Sequence, residues 1–209
     1  MTMVVIWGWV CALAGTFASL PQVVRLLRAG TSDGVSLLMW QLLLGVGIGW
    51  TAHGFTVGHA NVVVPNLASA LFAACVVAMV QRDRGLPSAR VWPLGIIVGI
   101  ACIAVEQFGS SALFGIVVIL PIAVGALGQT RDLLRSPDIT GLSGSYMVVA
   151  FVLQGMWLSW GFAAGDISIQ ICASAVGLLA GINLVLWLAR VRGVSFASAP
   201  VPVPEDAVV

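Results

Sequence analysis

LPQVVRLLRAGTSDGVS, residues 20–36, and LGQTRDLLRSPDITGLS, residues 127–143, decide the fold when they are set against each other. Slid by 107 positions with no gap, they agree at 7 of 17 places. At the same offset WTAHGFTVG from Trp50 meets WLSWGFAAG from Trp157, repeating Trp, Gly, Phe and Gly. Two separated matches in one register mark an internal duplication rather than a shared apolar bias.

The duplicated material is membrane material. Apolar residues fill 60% of the 209 positions, charged residues 8%, and the mean hydropathy is +1.08, outside the range of a soluble globular domain. A spanning helix needs about 20 mainly apolar residues. Seven such segments are expected: Met3–Val24, Ser36–Val57, Val62–Val80, Val91–Val105, Ala112–Thr130, Ser145–Ala164 and Ile167–Ala189. The fourth is the shortest, with Pro93 near its start and Glu106 at its end.

Arginine orients the chain. All nine basic residues are arginine, and they follow the first segment (Arg25, Arg28), the third (Arg82, Arg84, Arg90), the fifth (Arg131, Arg135) and the seventh (Arg190, Arg192). Cationic residues of short loops are retained on the cytoplasmic side. Seven alternating spans place every arginine there, with the N-terminus outside and the C-terminus in the cytoplasm. The start of the chain has no basic n-region and no small-residue cleavage site, so the first segment is read as an anchor.

The expected layout is therefore 3+1+3, an all-α membrane protein of two parallel three-helix bundles. Residues 1–81 form the first unit, 82–111 a linker helix with its loops, 112–192 the second unit, and 193–209 a disordered cytoplasmic tail rich in proline and small residues. Three spans reverse the side of the chain, and the fourth restores it, so both units run the same way about an axis along the membrane normal. Such an interface commonly holds a transporter's substrate site near the midplane.

Several function classes fall away. The chain has no lysine, which a retinal Schiff base needs. Its two histidines, His53 and His59, stand without an H-E-x-x-H pattern or a nucleophile partner, so an enzyme, a metal site and a cofactor are not expected. Cys11, Cys75, Cys102 and Cys172 sit in apolar segments at unrelated spacings and read as packing residues. Nothing points to nucleic acid; the expected partners are a small solute, the lipid bilayer and, optionally, further copies of the chain.

Pro21 and Gln22, the stretch GTSDGVSLLMW, Trp50, and Asn66 in NVVVPN together resemble the PQ-loop superfamily, most closely the SWEET and SemiSWEET sugar transporters. The resemblance spans both units. It implies facilitated diffusion (uniport) of mono- or disaccharides by alternating access across a plasma membrane, with bacterial origin suggested by the short, arginine-only chain. It also implies that Pro21 is a hinge, with Gln22 and its repeat Gln129 bonding to freed helix carbonyls. Gly128 stands where the second proline is expected, leaving Pro121 to bend the fifth segment. The same resemblance assigns substrate binding to Trp50, Asn66 and Trp157. Ala173 replaces the second asparagine, and His53 and Trp160, a turn beyond the tryptophans, are expected to replace it in part.

The offset of 107 also pairs His59 with Asp166. Two readings stand for this pair: an outer gate assisted by Phe55 and Phe162, or solvated loop residues whose ion pair contributes little. Two alternatives to the uniporter are a proton-coupled carrier of another polar solute such as an amino acid, for which Asp132 is the nearest acid, and a non-transporting receptor.

Overall fold

The computed structural model describes residues 2–29, 31–32, 35–140 and 142–196, with the backbone alone described for 17–27 and 29. Among these the chain is helical, with no strand: α1 Thr2–Ala29, α2 Leu37–Val57, α3 Ala60–Asp83, α4 Ser88–Val91, α5 Pro93–Phe108, α6 Ser111–Val117, α7 Ile119–Arg135, α8 Gly144–Ala164 and α9 Ile167–Val191. Helices overrun the expected apolar segments where these run into arginine: α1 continues to Ala29, α3 to Asp83 and α7 to Arg135. Hydropathy marks the apolar stretch, whereas helical hydrogen bonding continues into the polar boundary beyond it. The short α4 was not expected. Four helical runs among the described residues are long and apolar enough to cross a membrane: Ala60–Asp83, Ser111–Arg135, Gly144–Ala164 and Ile167–Val191; Thr2–Thr16 and Pro93–Phe108 are shorter apolar helices.

Local chemistry repeats at the same offset as the sequence. Ser36 caps α2 by accepting from the Met39 N–H, and Ser143 caps α8 by accepting from the Tyr146 N–H, both at 3.3 Å. Both helices are 21 residues long. They end on Gly58 and Gly165, at φ 74° and 72°, a left-handed conformation that glycine adopts without Cβ strain. A shift of 107 carries α2 onto α8 residue for residue.

Packing follows the same plan twice. α3 packs against α2 and α1; α9 packs against α8, α7 and α6. Contacts of α1 with α8 and of α2 with α7 join the two sets. The extra helix, α5, lies along α2 in the same direction. Gln41, Gly45, Gly49 and His53, four apart on one stripe of α2, meet Gly95, Val98, Cys102 and Glu106 of α5. A Cβ on Gly45 would come within 2.5 Å of Val98, and one on Gly49 within 2.6 Å of Cys102, so this close crossing depends on the small-residue stripe.

The bundle has two ends. At the Ser36/Ser143 end, arginines from the third helix of each set hold the loop after the first: Arg84 donates to the Ser32 and Val35 carbonyls at 2.6 and 2.8 Å, and Arg190 to the Leu133 and Ser136 carbonyls at 3.1 and 2.8 Å. Ser32 adds bonds from its N–H and hydroxyl to Asp83. Trp40, Leu44, Val76, Val77 and Val80 of the first set form a separate apolar core with Val91 of α4. The central core, which includes Cys11, Trp50, Val62, Cys102, Phe114, Trp160, Ile169 and Cys172, reaches the Gly58/Gly165 end and binds the two sets together. Cys75 departs from the expected packing role: it is exposed, unlike the other three cysteines.

The fifth segment is interrupted. α6 stops at Val117 and α7 begins at Ile119, with Pro121 four residues beyond Val117. Proline has no N–H to offer the carbonyl four residues back, and its ring crowds that carbonyl.

Candidate functional site

A cavity of about 300 Å³ opens between α1, α2, α3, α7, α8 and α9. Trp50, Asn66, Trp157 and Ala173, all singled out in the sequence, line it with Thr16, Ser69, Gln154, Ile122, Cys172 and Val176. Its size lies at the lower end of the roughly 300–1,000 Å³ typical of ligand pockets. Two indole faces and several amides and hydroxyls in an apolar wall can cover the C–H face of a ring while bonding its polar edge.

The proline at Pro65 inside α3 lies beside Asn66, and both line the cavity. The Asn66 amide donates to the Val62 carbonyl at 2.8 Å, which fixes its rotamer. Thr16 likewise donates to the Ala12 carbonyl at 2.8 Å. Trp50 is held edge-on to Phe114 with ring centres 5.1 Å apart, and Trp157 edge-on to Trp160 at 5.8 Å.

Toward the Gly58/Gly165 end, beyond the cavity-lining residues, side chains form a buried plug. His53 and Trp160, expected to help replace the missing asparagine, do not line the cavity but belong to this plug. Trp160 is buried, its indole N–H donating to the Val4 carbonyl at 3.0 Å. His53 is fully buried, stacked on Phe114 with centres 4.9 Å apart, between two carboxylates. Its Nε2 hydrogen-bonds Asp166 Oδ2 at 3.0 Å. Its Nδ1 lies 3.0 Å from Glu106 Oε1, at ion-pair distance but outside hydrogen-bond geometry. Among the described residues Glu106 Oε2 and Asn61 Nδ2 are buried without a hydrogen-bond partner.

The expected gate is thus rearranged. Asp166 bonds His53 rather than His59, whose ring packs edge-on against Trp160 at 5.1 Å. Phe55 and Phe162 are 70% and 66% exposed. Asp166 has a second task, capping α9 by accepting from the Ile169 N–H at 3.1 Å. Burial pushes its carboxyl up, but the His53 bond and charge, the Ile169 N–H and the nearby His59 outweigh that and hold it below the usual carboxylate value. Glu106 was read only as the end of a segment. The clue to it was the glycine stripe of α2 and α5, which aligns His53 with Glu106.

The hinge residues divide. The side chains of Pro21 and Gln22 lie outside the described residues. Gln129 accepts through Oε1 from Asn183 Nδ2 at 3.1 Å, and the same Nδ2 donates to the Ala126 carbonyl at 3.0 Å. Thr130 completes the cluster by donating to Asn183 Oδ1 at 2.6 Å. Gln129 therefore finds its partner on α9, and Asn183, missed in the sequence, is the centre of that cluster. Asp132 stands beside Arg131 near the end of α7, remote in sequence from the buried acids.

Among the described residues the fold is all-helical, with apolar helices long enough to cross a membrane and a cavity between two helix sets. No family model matches the sequence. An 84-residue stretch is 27% identical to the sugar transporter SemiSWEET of Escherichia coli (strain UMEA 3162-1), covering 40% of this chain and 94% of that protein. The fold matches a solved structure of a eukaryotic SWEET transporter with a TM-score of 0.66 at 16% identity, over 91% of this chain and all of the other. In sequence one stretch of the chain is thus similar to a SemiSWEET transporter, and in fold the chain is similar to a SWEET transporter, the resemblance that the motifs of the sequence pointed to. Both of these proteins are transporters.

Proposed function

We propose that the chain is a sugar facilitator: a uniporter of mono- or disaccharides that exposes its central cavity alternately to the two faces of a bacterial plasma membrane. The observation that carries this reading is the convergence of Trp50, Trp157 and Asn66 on one cavity of about 300 Å³. In this reading α1, α2, α3, α5, the α6–α7 run, α8 and α9 are seven spans in a 3+1+3 order, with the N-terminus outside and the C-terminus cytoplasmic. Residues 1–81 and 112–192 are the two units. The plug of His53, Trp160 and Asp166 is the outer closure. Pro21 with Gln22, and the interruption before Pro121 with Gln129, supply the bending points.

The test is uptake of labelled mono- and disaccharides into sealed proteoliposomes without ion gradients. Saturable downhill flux that Asn66→Ala reduces at least tenfold is expected. Absence of flux for every sugar, with the protein folded, would overturn the proposal.

One observation favours a second reading. His53 buried between Glu106 and Asp166 gives the interior the titratable group that a proton-coupled carrier requires. Uptake against a solute gradient on imposing a pH difference would select it; identical rates with and without that difference would leave the uniporter.

A further inference from the structure

The offset that matches the two helix sets leaves the cavity with an apparent gap. Asn66 on α3 has Ala173 as its counterpart on α9, so one side carries an amide and the other a methyl. Two neighbouring positions differ in the opposite sense. In the first set Gly47 of α2 faces Ala70 of α3, and a Cβ on Gly47 would sit 3.0 Å from the Ala70 Cβ. Their counterparts are Gln154 and Gly177: a Cβ on Gly177 would sit 3.1 Å from the Gln154 Cβ. The bulk has changed helix, and so has the amide.

Gln154 lines the cavity one turn before Trp157, on the same face of α8. Its side chain offers two donors and a carbonyl acceptor. Among the described residues its side chain has no hydrogen-bond partner, while the other cavity amide, Asn66, and Thr16 each donate to a carbonyl of their own helix. An amide in an apolar interior costs free energy unless it is bonded. Gln154 lines both this chamber and a second, more apolar pocket between α8 and α9, and a polar solute in the chamber offers the partner that the apolar pocket lacks.

We infer that Gln154 is a specificity-determining residue, the amide that hydrogen-bonds the solute's hydroxyl groups from the second helix set in place of the asparagine absent at 173. This rests on the sugar reading above. A solute held between Asn66 and Gln154 is bridged by amides from α3 and α8, an arrangement that two identical units would not produce.

The test compares wild type, Gln154→Leu and the double variant Gln154→Leu/Ala173→Asn in proteoliposome uptake over a panel of mono- and disaccharides, with binding followed by tryptophan fluorescence and folding by thermal unfolding. The expected result is a rise in KM of roughly tenfold for Gln154→Leu with an unchanged melting temperature, and recovery of at least half of that loss, on a logarithmic scale, in the double variant. Wild-type flux with KM unchanged in Gln154→Leu would overturn the inference and leave the sugar reading standing. A rise in KM that Ala173→Asn does not recover would overturn the replacement of one amide by the other. A folded wild type that neither binds nor moves any sugar would overturn both.

Discussion

The imidazole of His53 and the carboxylate of Asp166 meet at 3.0 Å across the seam between the two helix sets, and both are buried. Asp166 is also the N-cap of α9, so one side chain both starts that helix and ties it to the first helix set. Asparagine keeps the cap but removes the charge. Asp166→Asn is expected to weaken the closed end by about 2 kcal/mol, the scale of a charge-assisted hydrogen bond. The measure is a spin-label distance between cysteines placed at the exposed positions Phe55 and Phe162 in a background without the four native cysteines; the distribution lengthens in the variant.

The same labels give a pH prediction. Because the folded-state value of Asp166 is lowered, its contribution is fully present above the ordinary carboxylate value of about 4 and is lost as pH falls through the lowered value. The Asp166 contribution to the distance distribution should therefore stay constant down to about pH 5 and disappear only in more acidic solution. A loss of the closed distance near pH 6 that Asp166→Asn abolishes would contradict it.

Gly8 predicts a steric defect at the same end. A Cβ there would lie 2.2 Å from Asn61 Nδ2 and 2.5 Å from Trp160 Nε1. Gly8→Val should prevent α1 from seating against α3 and α8, costing about 1–3 kcal/mol and reducing transport severalfold. Thermal unfolding together with the spin-label distance reads it.

Asn183 predicts a stability effect remote from the cavity. Its amide joins α9 to the Ala126 carbonyl and to Gln129 and Thr130 of α7. Asn183→Leu should cost about 1–2 kcal/mol, and Thr130→Val about 0.6, on the scale of interhelical hydrogen bonds in membranes. Unfolding in mixed detergent micelles measures both, and equal values for the two variants would count against Asn183 as the centre of the cluster.

What was legible in the sequence followed from periodicity and register. The apolar segments located α2 and α8 to within one residue at each end, and the offset of 107 paired Trp50 with Trp157, which line one cavity because equivalent residues beside a shared axis face the same space. Helix ends were less legible, since arginines at the boundary of the apolar stretch do not stop a helix. His53 was read as cavity lining because it lies a turn from Trp50. Its ring turns instead toward α5, a helix with no counterpart in the duplication, so no internal comparison could point to Glu106. Gln154 escaped for a related reason: a repeat reveals what is kept, and here the amide had moved.

His53 and Trp160 occupy equivalent positions under that offset, yet one joins two carboxylates and the other fills space and bonds α1. In a symmetric pair of separate single-unit chains each residue would occur twice, and an imidazole at this level would bring a second imidazole beside it. Covalent fusion lifts that constraint. One half of the gene can then acquire a charged lock while the other keeps an apolar wedge, and each can vary without a mirrored change in its twin.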